Sequence, residues 1–262
     1  MELKGKIVVV TGGASGIGRA MCQAFHEAGA AKIIVADLDF TGASAVAELI
    51  GGRAVKCDVG QESQMQALIA MTESHHGSID LFCSNAGVAV GFDQRIENAA
   101  AGPDDLWHKA WQINVMAHVY AARILIPLMK SRGGGYFLNT ISAAGLLSQI
   151  ESAVYSTTKH AAVGFAENLA IAHKDDGIKV SILCPQAVDT QMLRDLPTGP
   201  QSVDGVLSAD DVAQIVIREI RHETFLILPH SEVRDYFCKK AQDHDRWING
   251  MVRLKRRTFI AG

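Results

Sequence analysis

Short apolar runs alternate with longer amphipathic stretches along most of this chain. Lys6-Ile-Val-Val-Val-Thr11 is β-branched and apolar throughout, the pattern of a strand covered on both faces. A helical period follows over about 17–28, then a second apolar run, Lys32-Ile-Ile-Val-Ala36. Residues 53–57 predict a third strand, 61–76 a helix and Ile79-Asp-Leu-Phe-Cys-Ser84 a fourth strand. A long helix is predicted over about 103–131, with Pro127 expected to kink or end it nearby. Gly133-Gly-Gly135 separates it from a fifth strand running from Tyr136 to Ile141. A helix over roughly 152–174 and a sixth strand, Ile178 to Cys184, come next. Ser208 with Asp210 and Asp211 marks a helix start, and that helix runs to about Arg221. Thr224 to Leu228 reads as a seventh strand, and 231–262 as a helix with basic residues near its end.

Strand and helix in alternation predict an α/β fold: a doubly wound, parallel, seven-stranded sheet with helices on both faces. Ligands are then expected at the carboxyl ends of the strands. No repeat, low-complexity block or linker interrupts the pattern, so 1–262 reads as a single domain. Two stretches stand apart from the alternation. Residues 191–207, with Pro197, Gly199, Pro200 and Gly205, read as a substrate loop of about 190–208, and 91–105 is a polar candidate rim.

Glycine punctuation gives the first chemistry. Thr11-Gly-Gly-Ala-Ser-Gly16-Ile-Gly18 lies between the first strand and its helix. Glycines there let the backbone approach a pyrophosphate, and the helix N-terminus supplies free N–H groups. The spacing is GxxxGxG rather than the commoner GxGxxG, and an ordinary tight turn is the plain alternative. Asp37 closes the second strand, where a Rossmann-type unit puts a carboxylate on the adenosine ribose hydroxyls. A carboxylate there repels a 2′-phosphate, and Leu38 and Asp39 offer no compensating base, so NAD is expected over NADP. Asp39 reads better as a helix cap.

Tyr155 and Lys159 are four apart on a predicted helix, so they share one face. A fixed ammonium is expected to favour the phenolate and bring a phenol closer to its working range. Ser142 follows the fifth strand, where its hydroxyl can donate to a substrate oxygen. This set suits proton transfer to or from an alcohol or carbonyl oxygen. The plain alternative is a Tyr and a Lys on an ordinary amphipathic helix. Asn114 lies mid-helix, a position that suits either an exposed side chain or one bonded to a buried water or carbonyl.

Composition narrows the classes. The chain of 262 residues is 48% hydrophobic and 20% charged with net charge −3, which argues against nucleic acid as the main partner. No apolar run approaches the ~20 residues of a membrane span, and none near the start suits a signal segment. Cys22, Cys57, Cys83, Cys184 and Cys238 show no CxxC, and four of them fall on strands or a helix face. They read as small buried hydrophobes of a reducing, cytoplasmic setting. The ten histidines show no metal-ligand spacing, so no metal is expected.

Taken together, Thr11–Gly18, Asp58, Asn85-Ala-Gly87, Asn114, Ser142, Tyr155-Ser-Thr-Thr-Lys159 and Pro185 to Thr190 resemble the short-chain dehydrogenase/reductase family. The likeness runs from about Gly5 to Thr190. It implies hydride transfer between NAD(H) and a secondary alcohol or ketone. It implies Tyr155 as general acid/base, Ser142 orienting the substrate oxygen, Lys159 on the nicotinamide ribose, and Asn114 holding a relay water. Gly12, Ser15, Gly16, Ile17 and Gly18 would line the pyrophosphate and adenosine side. Asp58 and Val59 would contact the adenine, and Asn85, Ala86 and Gly87 the cofactor's central part. Pro185, Val188 and Thr190 would meet the nicotinamide end.

Two departures stand out. The family's Gly after the strand-six Pro is Gln186 here, which can enter the substrate pocket. The family's usual C-terminal ending is missing, and a partly basic tail of about 231–262 replaces it, read as solvated or subunit-contacting. A homodimer through the helices of Asn114 and Tyr155 is the safer expectation, a homotetramer the other. Substrate walls are expected from Val90, Phe92, Ala143, Ala144, Gln149, Gln186, Met192 and Leu193, with no Arg or Lys nearby. They suit an uncharged, fairly apolar small molecule. The alternatives are an NADPH-dependent 3-oxoacyl reductase, which Asp37 opposes, and a non-catalytic nucleotide-sensing protein, which has no need of the Ser-Tyr-Lys set.

Overall fold

Continuous β-branched runs can satisfy their backbone and bury both faces only inside a sheet, and that is where they lie. A computed structural model describes residues 1–93, 97–197 and 199–259. The parts of the expected rim, substrate loop and tail that fall on 94–96, 198 and 260–262 lie outside the described residues. The strands are β1 (Ile7–Thr11), β2 (Lys32–Asp37), β3 (Arg53–Lys56), β4 (Leu81–Ser84), β5 (Gly135–Thr140), β6 (Ile178–Leu183) and β7 (Leu226–Ile227). All pair in parallel, in the order β3-β2-β1-β4-β5-β6-β7. Strand order reverses between β1 and β4, which opens a crevice at their carboxyl ends.

Helices cover both faces. They are α1 (Gly16–Glu27), α2 (Phe40–Leu49), α3 (Glu62–His75), α4 (Asp104–Trp111), α5 (Ala117–Ser131), α6 (Ala153–Ala172), the single turn α7 (Gln191–Arg194), α8 (Ala209–Arg221), α9 (Glu232–Gln242) and α10 (His244–Phe259). One apolar core packs α1, α2 and α8 on the sheet through Met21, Phe25, Val46 and Val216. The other packs α3, α5 and α6 through Leu68, Leu125 and Ala166 against Phe82 and Phe137. No helix among the described residues is long and apolar enough to cross a membrane.

Four expectations are corrected. Pro127 neither ends nor breaks α5, which runs on to Ser131. Pro127 and Arg123, four residues earlier, both face solvent, so the carbonyl that loses its partner can turn to water. The long helix is instead interrupted by a π turn at Gln112–Met116, centred on Asn114. The seventh strand shrinks to two residues. The Ser181 hydroxyl takes the Thr224 carbonyl at 2.6 Å, and Pro229 has no N–H to donate. The tail is two helices broken at Asp243, whose extended backbone ends α9 and whose carboxylate accepts from Arg246 N at 2.9 Å to start α10.

Candidate active site

A single cavity of about 1010 Å³ opens along the carboxyl ends of the strands, from the glycine turn to the C-terminal helices. Its first end is built from main chain. Gly12 has φ +65°, and a Cβ there would fall 2.9 Å from Ala86 Cα. Gly16 has φ +50° and faces Thr190, where a Cβ would come within 3.0 Å of Cγ2. Asn85 fixes the turn by donating to Thr11 O and Gly12 O at 3.1 and 3.3 Å. Asp37 accepts from Ala14 N and Asp39 N, both at 3.0 Å, so its carboxylate is aimed while lone pairs remain for a sugar diol. Asp39 caps α2 through Gly42 N, as its position predicts.

Most of the expected cofactor residues line this cavity: Gly12, Ser15, Gly16, Ile17, Asp37, Asp58, Val59, Asn85, Ala86, Gly87, Pro185, Val188 and Thr190. Gly18 does not. A Cβ there would lie 2.0 Å from Gly12 O, so it is glycine because the helix packs on its own turn. The space suits a nicotinamide dinucleotide: a glycine cradle that any Cβ would fill, a helix N-terminus, and a carboxylate nearby.

Tyr155 and Lys159 stand on α6, and Ser142 at the tip of β5. The Ser142 hydroxyl hydrogen-bonds Tyr155, and Lys159 Nζ lies 5.5 Å from the Tyr155 ring centroid. Ser152 starts α6 by accepting from Tyr155 N at 3.0 Å, and donates to Val90 O at 2.8 Å. One serine thus ties the helix of Tyr155 to the loop after β4. It carries no recognisable motif beyond a helix-cap residue type. The expected effect of Lys159 on the phenol is not what dominates. Burial pushes the Tyr155 phenol above its ordinary value, and the Ser142 bond opposes it. Burial also pulls the Lys159 ammonium down to about 8.

Asn114 lies behind the cavity wall rather than on it. It is fully buried, accepts from Val88 N at 2.9 Å, and donates to Val88 O at 3.0 Å and Thr158 Oγ1 at 3.2 Å. The buried reading of this residue therefore holds, with a main-chain carbonyl as partner. A Cβ on Gly87 would sit 3.3 Å from Asn114 Oδ1 and 3.4 Å from Lys159 Nζ, so these three positions converge. Cys184, beneath them, is buried and its thiol is pushed up to about 12, which removes it as a competing nucleophile.

The expected substrate residues Ala144, Gln149, Gln186 and Met192 line the second end, with Phe92, Ala143 and Leu193. Phe92 packs on Tyr155, ring centroids 5.8 Å apart. Val90 is not part of the lining. Gln149 turns its amide to Glu151 at 2.6 Å, so it braces the wall. Gln186 Oε1 is buried with no hydrogen-bond partner among the described residues, an acceptor left for a ligand.

The roof of this end went unseen in the sequence. Tyr236 and Lys239 of α9 and Arg246, Trp247, Met251 and Arg253 of α10 line the same cavity as Tyr155. The tail is therefore part of the site, and the wall carries bases that the sequence reading placed elsewhere. Lys240 Nζ donates to Leu146 O and Leu147 O at 2.7 and 3.0 Å, and Tyr236 donates to Asp204 Oδ1 at 3.0 Å.

Comparison with known proteins adds the following. The family model described as short chain dehydrogenase matches residues 6–201. The 1-deoxy-11-beta-hydroxypentalenate dehydrogenase of Streptomyces exfoliatus is 32% identical over 242 residues, 89% of this chain and 86% of that protein. The 3beta-hydroxysteroid dehydrogenase 2 of Eggerthella lenta is 30% identical over 196 residues, 72% of this chain and 74% of that protein. The crystal structure of a short chain dehydrogenase/reductase from Burkholderia phymatum in complex with NAD superposes with a TM-score of 0.81 at 28% identity, covering 94% of this chain and 96% of that one.

Proposed function

This chain belongs to the short-chain dehydrogenase family, and from that membership we propose that it interconverts an apolar secondary alcohol and its ketone with NAD(H) as the preferred cofactor. It is an oxidoreductase of alcohols and ketones. The observation that carries the site assignment is the meeting of Ser142, Tyr155 and Lys159 on the wall of a cavity whose other end is a glycine turn beside Asp37.

Gly12, Ser15, Gly16 and Ile17 hold the pyrophosphate, Asp37 the adenosine ribose, Asp58 and Val59 the adenine, and Val188 and Thr190 the nicotinamide end. The bound dinucleotide supplies the hydride chemistry. The protein's own part is orientation and proton movement. Ser142 donates to the substrate oxygen and fixes its place beside Tyr155. In the oxidation direction Tyr155 Oη takes the hydroxyl proton, and in reduction it returns one. Lys159 keeps a positive charge beside the Tyr155 ring below about pH 8. Asn114 holds the π turn against Val88 and Thr158, and so sets the distance between Lys159 and the loop after β4.

Asp37 supports NAD over NADP, because its aimed carboxylate repels a 2′-phosphate. The named substrates of the two relatives, a hydroxypentalenate and 3beta-hydroxysteroids, support a hydroxyl on an apolar skeleton. The test is initial rates with NAD and NADP on a panel of apolar secondary alcohols, for the natural chain and for Tyr155→Phe. NAD-linked turnover that collapses in the variant is the expected result. Tight NAD binding without turnover of any alcohol or ketone would overturn it, and a preference for NADP would overturn the cofactor assignment alone.

A further inference from the structure

The wall of the cavity changes character along its length. Around Tyr155 it is apolar, with Phe92, Leu147, Leu193, Leu196 and Val203. At α9 and α10 it carries Lys239, Arg246 and Arg253 against one acid, Asp243. That acid caps α10 by accepting the Arg246 N–H, and its single charge leaves the mouth with an excess of cations. Arg246, Gly250 and Arg253 are spaced i, i+4, i+7, so the two guanidiniums form one stripe along the helix. Trp247, Met251 and Leu254, each one residue further, form the adjacent, partly buried stripe. Among the described residues neither guanidinium has an acidic partner, which is also true of Arg19, Arg53, Arg234, Arg256 and Arg257, but Arg246 and Arg253 are the ones that line the cavity. Of the roof, α9 is held by Lys240 on the turn after β5 and by Tyr236 on Asp204, and α10 packs Trp247 against the core. A ligand that fills the cavity from Tyr155 to this mouth thus ends beside exposed cations.

We infer that this mouth reads an anionic group, a carboxylate, at the end of the substrate opposite its reacting carbon, with Arg246 and Arg253 as the specificity-determining residues. The inference rests on the oxidoreductase function proposed above. Its substrate class is an apolar secondary alcohol that ends in a carboxylate. A planar guanidinium pairs with a carboxylate in bidentate fashion, and at a partly wet rim this favours the acid over its neutral congener by about tenfold.

The experiment measures kcat/KM with NAD for hydroxysteroid carboxylic acids of both carbinol configurations and for their methyl esters. It uses the natural chain and Arg246→Gln/Arg253→Gln, both exposed positions. The expected acid-to-ester preference is about tenfold, falling to near parity in the double variant and shrinking as salt rises from about 0.05 to 0.5 M, where screening shortens. Equal turnover of acid and ester in the natural chain, with the ratio unmoved by the variant, overturns the inference and leaves the oxidoreductase reading standing. Turnover of neither sinks both. A rise in the KM for NAD at a constant acid-to-ester ratio assigns the stripe to the cofactor's phosphates and overturns the inference.

Discussion

The two ends of the cavity are built from different kinds of contact. The cofactor end is made of strand tips and the turns that follow them, with backbone atoms at or near van der Waals contact around Gly12 and Gly18. The roof is made of two surface helices from the end of the chain, held by a few side-chain bonds. At the first end, Gly12 and Gly18 tolerate nothing larger than hydrogen. The other can exchange its exposed residues, such as Arg246 and Arg253, without disturbing the core. A site divided in this way keeps its cofactor while its substrate preference changes.

The largest effect is expected at the junction of the two ends. Tyr155→Phe removes the proton path and keeps the ring on Phe92 and Lys159. Turnover should fall by about 10²–10⁴, the usual worth of a positioned acid/base, with a far smaller change in NAD affinity. Stopped-flow rates beside NAD titration check this; comparable losses in both would mean that Tyr155 serves binding.

Acid should attack the buried end first. His118 is fully buried against Ser84 Oγ at 2.8 Å, and burial pulls its pKa down to about 3. In the unfolded chain it titrates near the ordinary ~6.5, so the unfolded state binds more protons between these values. Its contribution is complete above about pH 6.5 and is lost as pH falls toward 3, at about 1.4 kcal/mol per unit. Urea unfolding between pH 7 and 4 should show a shallower acid slope in His118→Asn, whose amide can keep the Ser84 bond. An unchanged slope would assign acid lability elsewhere.

A matched pair of glycines tests the contrast directly. Gly18→Ala drives a Cβ to 2.0 Å from Gly12 O, a main-chain atom that cannot step aside. About 1–3 kcal/mol of stability should be lost, with NAD affinity. Gly250→Ala on α10 meets only Arg253 Nη2 at 3.8 Å, and should gain about 0.5–1 kcal/mol from helix propensity. Thermal melts with and without NAD separate the two; equal losses would erase the distinction. At Asp37 the effect is on choice. Asp37→Ser removes the charge facing a 2′-phosphate, and the NAD-to-NADP ratio of kcat/KM should fall about tenfold, or ~1.4 kcal/mol.

The same division explains what could be read from the chain. The glycine turn, Asp37, Ser142 and the Tyr155–Lys159 pair are local: each is a residue type at a fixed distance from a strand end. The roof is non-local. Nothing near Arg246 or Tyr236 signals that their helices fold back over Tyr155, and a basic amphipathic helix reads equally well as a solvated tail. The π turn at Gln112–Met116 was also hidden, because an extra residue in a helix leaves no residue-type signature. The rise in the Tyr155 pKa followed from burial, a property of the assembled wall, whereas the spacing of Lys159 pointed the other way. Gly18 misled for a different reason: a glycine in a binding turn and a glycine packed against its own turn look alike in sequence.

The smallest effect tests whether the roof acts on substrate alone. Tyr236→Phe deletes one hydroxyl, which donates to Asp204 Oδ1 at 3.0 Å and so joins α9 to the loop before α8. Asp204 Oδ2 is already buried without a partner among the described residues, so the carboxylate is then poorly satisfied and the loop should loosen. A bond of this kind is worth about 0.5–1.5 kcal/mol net. Because it orders the roof and touches no reacting atom, the loss should appear as a two- to fivefold rise in substrate KM with kcat kept. The KM for NAD should stay level, since Asp37 and the glycine turn are held by main chain at the other end of the sheet edge. A parallel rise in both KM values would show that the roof also orders the cofactor, and the two ends would then be one cooperative unit.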